Sequence, residues 1–140
     1  MTLIRRFRRS AFLTLALSIP ALFIVCTAVV GFTGTLQFVG QWPFQIMTAF
    51  VFMAAFIWLS SPAVASYCAR HILIMGCYFV AVFLIGAVSG SATSMVIYRE
   101  SSIGDYIVKP IYWLSIFGIA PAFVLGVIGA VILRRHEDAT

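Results

Sequence analysis

Residues 10–69 read SAFLTLALSIPALFIVCTAVVGFTGTLQFVGQWPFQIMTAFVFMAAFIWLSSPAVASYCA, a run without a single Asp, Glu, Lys or Arg. A helix advances about 1.5 Å per residue and the hydrocarbon layer of a bilayer is about 30 Å thick, so one crossing consumes about 20 apolar residues. The run is long enough for two crossings and carries its own turn. Gly31, Gly34, Gly40 and Pro43 punctuate its middle, with Gln37 and Gln41 between them, and Pro43 suits the first turn of a helix. The stretch predicts two membrane-crossing helices, over about 10–32 and 44–60. The second is expected to stop at Ser60, Ser61 and Pro62, because a proline drives the residue before it out of helical dihedrals.

Two further charge-free runs, 71–98 and 110–133, predict a third helix over about 72–96 and a fourth over about 111–133. Charges are confined to the seams. The whole chain is 63% hydrophobic and 9% charged, with a mean hydropathy of +1.10, too few charges to clothe a water-soluble domain. The fold class expected is all-α: a polytopic membrane protein, with residues 1–140 forming a single four-transmembrane-helix bundle whose first partner is the lipid bilayer.

Lys and Arg in short loops are retained on the cytoplasmic side during insertion. With the N-terminus inside, Arg5, Arg6, Arg8, Arg9, Arg70, Arg134 and Arg135 are cytoplasmic, and only Arg99 and Lys109 lie outside, offset by Glu100 and Asp105. Both termini are therefore expected in the cytoplasm. The short loops and compact chain point to a multi-pass protein of the bacterial cytoplasmic (inner) membrane. Interfacial aromatic residues agree with this frame: Trp42, Tyr98, Tyr106, Tyr112 and Trp113 at the outer rim, Trp58 and Tyr67 at the inner. A cleaved secretory signal is disfavoured, since the first apolar run flows into a second crossing with no small-x-small cleavage site. Cys26, Cys68 and Cys77 are odd in number and none falls on the outer face, so no disulfide framework is implied.

Inside a bilayer, helices are held together by close packing at small residues. Helix four repeats a small residue every fourth position, at Gly118, Ala122, Gly126 and Ala130, and helix three does so at Gly86, Gly90 and Ser94. These stripes are expected to pack against one another, with a seam between two copies of the chain as the alternative. Helix two, holding Phe44, Phe50, Phe52, Phe56 and Trp58, is expected to face lipid more than its neighbours do. Pro20 and Pro121 each fall near mid-helix, where a proline removes a backbone hydrogen bond, and they are the candidate hinges.

Ionisable groups within a membrane mark coupled carriers and pumps, and the four predicted spans hold none. Candidate bases for catalysis are confined to the seams and the C-terminal end: His71, His136, Glu100, Asp105, Glu137 and Asp138. Glu100 and Asp105 read as a charge-balanced loop beside Arg99 and Lys109. Cys68 and His71 supply at most half of a zinc site. Gln37, Gln41 and Gln45, or Ser89, Ser91, Thr93 and Ser94, would form the polar strips of a pore. Arg5, Arg6, Arg8 and Arg9 suit anionic lipid headgroups and are too few to argue for nucleic acid. No phosphate loop, dinucleotide fingerprint or haem motif occurs. The expectation is a non-enzymatic protein without catalytic, metal or cofactor residues. It would act through helix contacts with itself or another membrane protein, as a subunit, regulator or immunity-type factor. An oligomeric passive channel or small transporter is the alternative.

Overall fold

The computed structural model describes residues 2–99 and 101–138, with side chains as far as Arg135. It is all-helical. Helix α1 spans Leu3–Gln41, α2 Pro43–Arg70 and α3 Ile72–Tyr98, and a π-helical turn, Gly104–Val108, runs directly into α4, Lys109–Asp138. Among the described residues, four helices are long and apolar enough to cross a membrane. In hydrocarbon a spanning helix satisfies its main-chain hydrogen bonds within itself, which is why uncharged runs take this form.

The helices form a closed ring in chain order. α1 packs on α2, α2 on α3, α3 on α4 and α4 back on α1, with α1 and α3 on one diagonal. Sequential antiparallel neighbours leave both chain ends at the same end of the bundle, where Ser10 of α1 donates to the Gly129 carbonyl of α4 at 2.7 Å. The core is concentrated in that half: Phe7, Ala11, Ile57, Ala65, Cys68, Met75, Val82, Ala130 and Leu133 are almost fully enclosed. At the opposite end Trp42, Tyr98 and Tyr106 form a chain of ring contacts, with centroids 5.8 and 6.3 Å apart.

Each helix is longer than the apolar run suggests. α2 has 28 residues, about 42 Å of helix, and continues well past the expected stop at Ser60. Pro62 is internal to it. The reason lies in the donors around the proline, described below. Helix α1 differs in the other sense. Its helical path from residue 3 to 41 is broken at Gly31, whose φ of +78° and ψ of 167° lie in a region essentially reserved for glycine. The break is sharp. Thr27 Oγ1 and Thr35 Oγ1, eight residues apart, are 3.3 Å from each other, where a straight helix would separate the residues by about 12 Å. The Phe23 and Phe32 rings also meet across it, at 6.0 Å. The glycine-rich turn anticipated in this stretch is thus one bend at Gly31, a helical arm over 32–41, and a stop at Trp42, whose φ is −122° and ψ 37°.

Pro20 and Pro121 sit inside helices without interrupting them, and Gly31 is the one residue of α1 with non-helical dihedrals. Nor is α2 the helix most open to its surroundings. That is α1, where no residue between Leu15 and Thr35 is buried.

Candidate functional site

A proline within a helix has no N–H to donate, so the carbonyl four residues earlier loses its partner. For Pro62 that carbonyl belongs to Trp58. The guanidinium of Arg8, reaching across from α1, donates to the Trp58 oxygen at 3.0 Å. The same guanidinium lies 3.8 Å from the centroid of the Trp58 indole, a cation–π arrangement. The two serines just before the proline bond to their own helix: Ser61 Oγ donates to the Ile57 carbonyl, and Ser60 Oγ to that of Phe56 at 2.6 Å. With its one proton spent on Phe56, Ser60 accepts from the Tyr78 hydroxyl of α3 at 2.8 Å. Pro62 therefore marks the place where α1, α2 and α3 are tied together. Arg8 Nε is buried there without a partner.

The end of the bundle that carries the termini is strongly basic. Arg134 of α4 donates to the Arg70 carbonyl at 2.9 Å and so caps the last turn of α2. Arg70, His71 and Arg134, with Ile72, Leu73 and Ile74, line an open cleft of about 490 Å³ between the ends of α2, α3 and α4. Cys68 is buried and His71 exposed, so the two do not face a common site. Among the described residues no three His, Cys, Asp or Glu side chains converge. The side chains of His136, Glu137 and Asp138, and all of Glu100, lie outside the described residues. At the opposite end Asp105 pairs with Lys109 and accepts from Ser102 Oγ at 3.0 Å.

Both small-residue stripes are buried within the chain. The stripe of α4 faces α3. A Cβ on Gly126 would lie 2.5 Å from the Met75 carbonyl oxygen and 2.7 Å from Gly76 Cα, and one on Gly118 would strike the Phe83 ring. Ala122 and Ala130 are buried along the same seam. The stripe of α3 faces α2 rather than α4. A Cβ on Gly86 would sit 2.8 Å from Met53, and one on Gly90 would sit 3.1 Å from the Gln45 carbonyl oxygen. Ser94, at the end of that stripe, is buried and bonds back to the Gly90 carbonyl at 3.5 Å. What α3 offers to α4 instead is Gly76, against which Phe123 lies.

One face of the α2–α3 pair remains open. Thr48 and Phe52 of α2 with Leu84, Ile85, Val88, Ser89, Ala92, Thr93 and Val96 of α3 line a groove of about 630 Å³. Its hydroxyls are already spent. Thr48 donates to the Phe44 carbonyl at 2.8 Å, Ser89 to Gly86 at 3.0 Å and Thr93 to Ser89 at 2.8 Å. The groove is therefore apolar in effect, with the short side chains Ser89, Ala92 and Thr93 on one wall. Composition alone drew attention to the hydroxyls of this segment. Their proximity to α2 was the missing part. Of the glutamines, Gln45 is buried while Gln37 and Gln41 are exposed on the arm after Gly31, with Trp42 interrupting any common face.

Four spanning-length apolar helices with charges gathered at their ends define the class: a multi-pass helical membrane protein. No known family model matches the chain, and comparisons with curated proteins and with solved structures also return no match.

Proposed function

We propose that this chain is a small non-enzymatic protein of the bacterial cytoplasmic membrane, both termini in the cytoplasm, that works by helix contact as a subunit, regulator or immunity-type factor of a membrane complex. The observation that carries the reading is the open groove between α2 and α3. Close approach between helices in lipid requires small side chains. The glycine stripes are consumed inside the bundle, whereas Ser89, Ala92 and Thr93 present short side chains on an open face. The orientation rests on the basic end. Arg5, Arg6, Arg8, Arg9, Arg70, Arg134 and Arg135 all belong to the end that holds the termini, against Arg99 and Lys109 at the other.

The occupant we favour is a helix of a different membrane protein. Mild detergent extraction of the tagged full chain from its native membrane, followed by mass determination, tests this. A stoichiometric hetero-complex that Ala92→Leu disperses, while Gly40→Leu at an unpacked position leaves it intact, is the expected result. A strict monomer in several detergents overturns the reading, and a homodimer sensitive to Ala92→Leu replaces the partner by a second copy. A pore lined by Ser89 and Thr93 gains no support from hydroxyls bonded to their own helix.

A further inference from the structure

We infer that the cleft among Arg70, His71 and Arg134 is a binding site for the phosphate group of an anionic phospholipid, with the acyl chains lying along α3. Three separate features meet there. First, the residues Arg70, His71 and Arg134 line one concavity at the end of the bundle. The first of them is available for a ligand: the Arg70 side chain is exposed, and its carbonyl, not its guanidinium, takes part in the bond to Arg134. That bond in turn holds the Arg134 side chain over the cleft, leaving its remaining N–H groups for a second acceptor.

Second, α3 begins in the cleft without a side-chain cap. The first N–H groups of a helix have no partner within it and carry the positive end of its dipole. They add to the guanidinium charges, and the opposing carbonyl end of α2 in the same cleft is offset by the bond from Arg134 to the Arg70 carbonyl. Third, the cleft is amphiphilic. Leu73 is 67% exposed and Ile74 38% exposed on the first turn of α3, immediately beside the basic groups. A free anion makes no use of exposed leucine and isoleucine. A lipid uses both halves, its phosphate against the arginines and its chains against the apolar turn. The depth is suitable as well, since the cleft lies where α2 ends and α3 begins, at the boundary of the apolar segments.

The full-length protein in mild detergent, offered phosphatidylglycerol, phosphatidylcholine or inorganic phosphate, tests the inference by native mass spectrometry. Phosphatidylglycerol should be retained well above phosphatidylcholine, and the preference should fall as salt screens the site. Arg70→Gln should lower phosphatidylglycerol retention by about fivefold, the factor that one interfacial cation contributes. Arg99→Gln, at the other end, should leave it unchanged. Because Arg70→Gln keeps the backbone carbonyl that Arg134 caps, its thermal midpoint should match the parent protein. Equal retention of the two lipids, or an Arg70→Gln variant that retains phosphatidylglycerol as the parent does, overturns the inference. So does displacement of the lipid by equimolar inorganic phosphate, which would make the cleft an anion site without a lipid component.

Discussion

The seam between α3 and α4 is held along its length by what its surfaces lack, whereas α1 is held at one end only, by the buried Phe7, Ala11 and Leu15 and by what Arg8 and Ser10 donate. Along the seam, glycines at 76, 118 and 126 let a ring or a main chain occupy the place of a Cβ. On α1, Ser10 reaches a carbonyl of α4 and Arg8 a carbonyl of α2, and beyond Leu15 the helix buries nothing until Thr35. The first contact gains dispersion over a long interface and tolerates no added volume. The second combines a short packed segment, Phe7 to Leu15, with two particular donors, and tolerates volume from there to Thr35. Two helices of similar hydropathy are thus attached to one bundle by unlike physics, and substitutions should separate them.

The largest effect is expected at Gly126. Leucine there meets the Met75 carbonyl and Gly76 Cα, main-chain atoms that cannot rotate aside, and should cost about 3 kcal/mol of stability, read as loss of folded protein in a detergent melt. Leucine at Gly40, where nothing lies within 4 Å, should change the melt by no more than about 0.5 kcal/mol. Equal effects at the two positions would remove the distinction. An intermediate effect is expected at Arg8. Arg8→Met strands the Trp58 carbonyl, at a cost of about 2 kcal/mol. Pro62→Ala restores a main-chain donor to the same carbonyl, so in that background Arg8→Met should cost only the loss of the cation–π contact, about 0.5–1 kcal/mol. A double-mutant cycle without coupling would show that Arg8 holds α1 by another route. Ser10→Ala should be milder than Arg8→Met, about 0.6 kcal/mol, typical of single hydrogen bonds between membrane helices. A loss as great as that of Gly126→Leu would mean that α1 is packed as tightly as the seam.

The four helices were legible because the absence of charge over 10–69, 71–98 and 110–133 is a long signal that no local detail reverses. The spacing of Gly118, Ala122, Gly126 and Ala130 was equally legible, since the period of a helix dictates a shared face. The partner of a stripe was not. Gly86 and Gly90 meet α2, and nothing in their spacing distinguishes Met53 from a residue of α4. The end of α2 was misjudged for a related reason. A proline's effect on its neighbours is local, but its repair here comes from Arg8, 50 residues before the carbonyl concerned. The cleft at Arg70 was half visible: its charges were in the sequence, while the approach of Arg134 to the end of α2 needed the fold.

The bond from Arg8 to Trp58 bears on how the chain is made. Synthesis delivers the guanidinium before the carbonyl it will serve and before the proline that creates the need. α2 carries one main-chain oxygen unmatched inside its own helix, and the donor for it lies on α1, earlier in the chain. The two helices are consequently complementary as a hairpin: the oxygen that Pro62 leaves unmatched in α2 is served by a side chain of α1.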